Sequence, residues 1–178
     1  MSTDFTTTPS VRSRFMAGVD EVQLLPDAEQ RKLLAATLER VNRASNAARA
    51  AALQRNVVSG ASLREIVKEE LDRAKLSDGF VTPTLQRVEA SLRRRAGKQP
   101  KFSTYQSLTL PPSAFKWAPA ADRVTMLTAT GRRSIPVRVD TSRGDLRPPL
   151  QGRPTSLVFR NDEFELHAAD VERNTDDD

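Results

Sequence analysis

Apolar residues along this chain keep two different periods, and the change between them falls near Pro100. From Asp27 the spacing is helical. Leu34, Leu38, Val41, Ala48 and Ala52 recur at intervals of three, four and seven, which puts them on one stripe of a long amphipathic helix ending near Asn56. Asp27 with Gln30 three positions on has the form of a capping pair, in which side chain and backbone satisfy each other at a helix start. The opposite face carries Arg31, Lys32, Arg43 and Arg49, and Asn42 and Asn46 stand one turn apart.

After "VVSGA", Ser62 and Glu65 stand at the capping-box spacing. Leu63, Ile66, Val67, Leu71 and Ala74 then make a second stripe, which predicts a helix running to about Leu76. Thr82 followed by Pro83 predicts a third start, because proline suits the first helical turn. Leu85, Val88 and Leu92 form its stripe and Gly97 closes it.

Beyond Pro100 apolar and polar positions alternate with period two. "YQSLTL", "RVTMLTA", "SIPVRV", "SLVFR" and "EFELHA" read as strands separated by turn-forming clusters. Asn161 and Asp162 sit at the bend of one hairpin, and Gly131 at the bend of "TATGRRSIPVRV". Ile135, Val137 and Val139 share a face, with Arg138 on the other; Pro136 makes this an edge strand or a bulged one. "EVQLLP" predicts a short strand that stops at Pro26. The expected fold is α+β: a small antiparallel β-barrel interrupted by a three-helix insertion. Residues 1–26 give its first strand or strands, 27–100 the helices, 101–172 the barrel or sheet, and 173–178 a disordered acidic tail.

Charge sharpens this picture because the net of +5 hides an asymmetry. Residues 31–160 carry 25 Lys+Arg against 10 Asp+Glu, whereas residues 161–178 carry 1 against 8. Most of the cations are arginines, whose planar fork matches phosphate oxygens two at a time. A polyanionic partner follows, against the plainer alternative of a solvated basic surface enriched in Arg by codon usage. The candidate phosphate contacts are Arg93, Arg94, Arg95, Lys98 and Lys101, then Arg132, Arg133, Arg138, Arg143 and Arg147. Cations at the end of the third helix also suit its macrodipole. Phe102, Tyr105 and Trp117 lie among them as candidate base-stacking rings, and they would equally suit a core.

Other chemistry fails on inventory. The chain has no cysteine and one histidine, which leaves no disulfide, no thiol nucleophile and little for a His-based metal site. His167 reads as an exposed strand residue opposite Phe164 and Leu166. Asp20 and Glu21 in "GVDE" are two adjacent acids of a surface loop, and no Gly-rich phosphate loop is present. No catalytic residue, metal or cofactor is assigned. The absence of a long apolar run predicts a cytoplasmic protein with no membrane partner.

The order of these features resembles a known family. "VQLLPDAEQRKLLAATLERVNRASNAARAAAL", followed by "KFSTYQSLTL", "VTMLTATGRRSIPV" and "SLVFRNDEFELHAADVE", is similar to the N-terminal half of the transposon-encoded RNA-guided nucleases of the OrfB or TnpB type, relatives of the type V CRISPR effectors. That resemblance implies an oligonucleotide-binding-like wedge barrel holding a helical recognition insert. It also implies guide RNA and the duplex beside the target as partners. The family continues into an RNase H-like nuclease with three carboxylates and a zinc ribbon of paired cysteines. Here the sequence ends after "ADVERNTDDD" without a cysteine, so the expected share is binding without cutting. Structured RNA is the first expected partner, with double-stranded DNA beside it. A protein-interaction half that joins a separately encoded nuclease chain is the second reading, and a poorly folding remnant the third.

Overall fold

The computed structural model describes residues 21–94, 101–118, 120, 122–138 and 150–169. The chain runs as strand β1 (Glu21–Gln23), helices α1 (Ala28–Gln54), α2 (Gly60–Arg73) and α3 (Val81–Arg93), and then six strands. These are β2 (Leu108–Leu110), β3 (Phe115–Trp117), β4 (Arg123–Thr128), β5 (Gly131–Pro136), β6 (Thr155–Arg160) and β7 (Glu163–Ala168). All pairs are antiparallel, in one sheet ordered β1-β7-β6-β2 and another ordered β3-β4-β5. The fold is therefore α+β, with the three helices inserted between β1 and the remaining strands.

The expected barrel is not closed among the described residues. The two sheets touch along one side, where Leu24 bridges Val137, the Leu25 N–H donates to the Pro136 carbonyl at 2.8 Å, and the Arg138 N–H donates to the Gln23 carbonyl at 2.9 Å. Pro136 serves there as an acceptor only, so its missing N–H costs nothing at this edge. No ladder joins β2 to β3, which leaves the other side open among the described residues.

Helix α1 is the centre of the molecule. Its capping pair forms as expected, with the Gln30 N–H donating to Asp27 Oδ1 at 2.8 Å and the Asp27 N–H to Gln30 Oε1 at 3.2 Å. Leu34, Leu38, Val41, Ala48 and Ala52 are all fully buried. Thr37, Asn42 and Ser45 are buried as well, because α1 packs against helices on one side and strand and loop backbone on another. Its end is set by Asn56 in the left-handed region, φ +53°, with the Val57 N–H returning to the Ala52 carbonyl at 2.9 Å.

Two helix starts differ from the sequence reading. Helix α2 begins at Gly60, one turn early, and Ser62 with Glu65 does not cap it. Its buried stripe is the expected Leu63, Ile66, Val67 and Leu71, and it ends at Arg73 with Lys75 taking the left-handed closing position. Helix α3 begins at Val81, directly continuing a 3-10 turn over Asp78–Phe80, so Thr82 lies inside it and Pro83 falls within its first turn. A burial pattern sets the helix face; a neighbouring turn that already supplies the first N–H partners can displace the cap. Gly97, Val139 and the 173–178 tail lie outside the described residues.

Candidate nucleic-acid interface

Among the described residues, strand β3 has β4 as its sole ladder partner. Phe115 and Trp117 alternate with Lys116 along it, pairing with Met126 and Val124 of β4, and both rings are half-buried. A turn over residues 150–153 comes up beside them, fixed by Leu150 at φ +61°, Gly152 at φ +74° and an Arg153 N–H bond to the Leu150 carbonyl at 3.2 Å. Between strand and turn lies a groove of about 480 Å³ lined by Pro112, Phe115, Lys116, Trp117, Gln151 and Arg153 among others. A volume of this order accepts a ring-sized ligand, and the lining mixes aromatic faces with two cations and an amide.

The hairpin arginines divide into two kinds. The Arg132 guanidinium donates to the Ser113 carbonyl at 2.8 Å and to the Ala114 carbonyl at 3.2 Å. It thereby holds the 3-10 turn Pro112–Ala114 that leads into β3, a structural task that strand alternation does not announce. Arg133 is exposed and, among the described residues, its guanidinium bonds only the Arg132 carbonyl, at 3.0 Å. Gly131 stands just after the bend, not in it. Ala129 and Thr130 make the bend, and Gly131 follows at φ +103°, paired with Thr128 as the first residue of β5. The turn is anchored to α1, since the Ala129 N–H donates to the buried Thr37 hydroxyl at 2.9 Å.

The other expected contacts fall elsewhere. Arg93 and Arg94 are exposed at the end of α3, where Arg93 pairs with Glu89 at 2.7 Å; Lys101 and Arg138 are exposed. Arg95, Lys98, Arg143 and Arg147 lie outside the described residues. Tyr105 is 46% exposed and meets Phe159 edge-on at 5.4 Å, which in turn packs on Phe164 at 4.7 Å. Phe102 is half-buried against the core, with the Arg87 guanidinium over its ring at 4.3 Å. One face of that ring is thus already taken by a cation.

Asparagines explain how this segment is seated. Asn46 Nδ2 donates to the Phe102 carbonyl at 2.9 Å while its Oδ1 accepts the Phe102 N–H at 2.8 Å, and Asn42 Nδ2 donates to the carbonyls of Thr104 at 3.0 Å and Gln106 at 2.9 Å. Together they give the backbone of residues 102–106, which turns at 104–105, side-chain partners on the face of α1. Burial pushes the Arg87 guanidinium down to about 10. Arg49, expected on the solvent face, is half-buried, and its Nε, like Arg87 Nη1, has no hydrogen-bond partner among the described residues.

His167 is also not the exposed residue that alternation predicts. It is half-buried, with Nε2 at 2.7 Å from Glu165 Oε2 and 4.0 Å from Glu21 Oε2. The sequence signal for the Trp117 groove was the aromatic pair at i and i+2 in "FKW"; its other wall comes from a turn more than thirty positions away, which no local pattern announces. No helix among the described residues is long and apolar enough to cross a membrane. Compared with known proteins, the chain matches no family model and no curated sequence.

Proposed function

We propose that this protein binds nucleic acid, with structured RNA as the ligand and adjoining double-stranded DNA as its extension, and that the Trp117 groove receives an unpaired base. The observation that carries this reading is the half-buried Trp117 ring in an open groove whose lining also includes Lys116 and Arg153. A base would stack on the aromatic wall, and its flanking phosphates would meet the cations. The excess of arginine over residues 31–160 supports a longer phosphate track.

The resemblance to the wedge half of transposon-encoded RNA-guided nucleases belongs to the same reading. The order strand, three helices, strands supports it, as do two sheets meeting along the Leu24–Val137 side, which we read as an open barrel with its seam between β2 and β3. In this reading the role is binding and positioning of RNA, with cutting left to another domain or chain.

The test uses the chain's single tryptophan. Titration with a hairpin RNA carrying an unpaired loop is expected to quench Trp117 fluorescence saturably, and the affinity is expected to fall with salt at a log–log slope of roughly −0.7 to −0.9 per phosphate contacted. Unquenched fluorescence with intact binding would move the site away from the groove; the absence of salt-sensitive binding to RNA and DNA alike would sink the reading.

A further inference from the structure

Register brings a second group of functional side chains together on the outer face of the four-stranded sheet. Phe164 and Leu166 of β7 point into the core, so Glu163, Glu165 and His167 point outward. Strand β1 pairs with β7 so that Glu21 stands opposite His167 and Gln23 opposite Glu165. The carboxylates of Glu21 and Glu165 and the imidazole of His167 each offer a ligand atom, and these atoms lie within 4.8 Å of one another.

The charges in this group are unbalanced. Among the described residues, Glu21 and Glu165 make their ion-pair contacts only with His167. The Glu165 side chain is just 14% exposed, and it shares that one imidazole with a second carboxylate. Two carboxylates around one imidazole leave net negative charge whether the ring is protonated or not. In a chain with 25 Lys+Arg against 10 Asp+Glu over residues 31–160, this is a local concentration of acid around a nitrogen donor.

We infer that Glu21, Glu165 and His167 form a binding site for a divalent first-row cation of the zinc type, which ties β1 to β7. One imidazole nitrogen with two carboxylate oxygens and no thiolate suits borderline cations; magnesium and calcium prefer oxygen alone and retain more water. Tetrahedral bonds of about 2.0–2.2 Å place ligand atoms about 3.3 Å apart. The 4.0 Å gap from His167 to Glu21 closes to that value by side-chain rotation, while the 2.7 Å His167–Glu165 hydrogen bond opens to it as the metal takes the place of the shared proton. Water fills the fourth position. Because β1 is only three residues long, a metal bridging it to β7 contributes much of what holds it in the sheet.

The experiment uses the full chain, prepared without a histidine tag and freed of metal. Calorimetric titration with zinc chloride is expected to show one saturable site per chain, and thermal melting a rise in Tm that magnesium chloride at the same concentration does not produce. H167A is expected to abolish saturable uptake. E21Q, which alters an exposed side chain and leaves the His167–Glu165 pair in place, is expected to weaken binding at least tenfold with the circular dichroism spectrum unchanged. Absence of saturable uptake overturns the inference, as does uptake that H167A and E21Q both leave intact; the His167–Glu165 contact is then a hydrogen-bonded pair and nothing more.

Discussion

The Arg87 guanidinium lies 4.3 Å from the centroid of the Phe102 ring and has no carboxylate partner among the described residues. Its one cation–π partner among the described residues is that aromatic face, and burial lowers its proton affinity, to a pKa of about 10. Above that pH the folded chain releases a proton that the unfolded chain keeps, so the unfolded state binds more protons and stability rises with pH. The contribution is lost as pH falls through about 10. Relative to Arg87→Met, the wild type is expected to gain about 1 kcal/mol between about pH 9 and 11, measured by urea denaturation of both proteins.

Asn46 makes two hydrogen bonds to the backbone of Phe102 from the middle of α1. Asn46→Ala leaves a part-buried N–H and carbonyl without partners and is expected to cost about 2 kcal/mol in chemical denaturation. A change under 0.5 kcal/mol would mean that solvent replaces the asparagine, and that residues 102–106 are held by Asn42 and the Arg87 stacking.

The Thr37 hydroxyl accepts the Ala129 N–H inside the core and donates its own O–H to the Leu33 carbonyl at 2.7 Å. Thr37→Val keeps the shape and removes both bonds. We expect a loss of about 1–3 kcal/mol, read as an earlier urea midpoint with unchanged slope, because one buried N–H is left unsatisfied.

The adjacent hairpin arginines should separate in two assays. Arg132→Ala frees the Pro112–Ala114 turn and is expected to lower stability by about 1 kcal/mol. Arg133→Ala is expected to leave the melting curve in place and to weaken RNA binding, with the salt slope falling by about one phosphate contact. Equal effects of both on stability would contradict the division.

Trp117→Leu keeps an apolar residue on β3 and removes the stacking surface. The expected loss of RNA affinity corresponds to about 1–3 kcal/mol, measured by a filter or anisotropy assay since the fluorophore is gone.

Much of this architecture could be read from spacing alone. The stripe Leu34, Leu38, Val41, Ala48, Ala52 buries as its period requires, and Asn161 with Asp162 takes the two left-handed positions that a tight hairpin needs, φ +51° and +61°. What spacing could not show were partners distant in sequence. Arg132 looked free because its acceptors are carbonyls of a turn eighteen and nineteen residues earlier. Asn42 and Asn46 looked like an ordinary polar face, since their partners lie more than fifty residues on. His167 looked exposed because alternation reports which face a side chain takes and says nothing of a neighbouring strand that crowds it. The site suffers most from this: Trp117 was visible as a ring among cations, whereas the groove that gives it meaning depends on where a remote turn lands.

The pairing of β1 with β7 lets the Gln23 side chain donate to Glu163, 140 residues further along the chain. Synthesis delivers β1 before all three helices and its ladder partner after them. The helices, rich in local contacts, and the consecutive strands β3 to β5 can assemble while β1 still waits. Strand β1 can therefore be seated only once β7 has been made, and until then Val22 and the following Leu24 lack the neighbours that bury them.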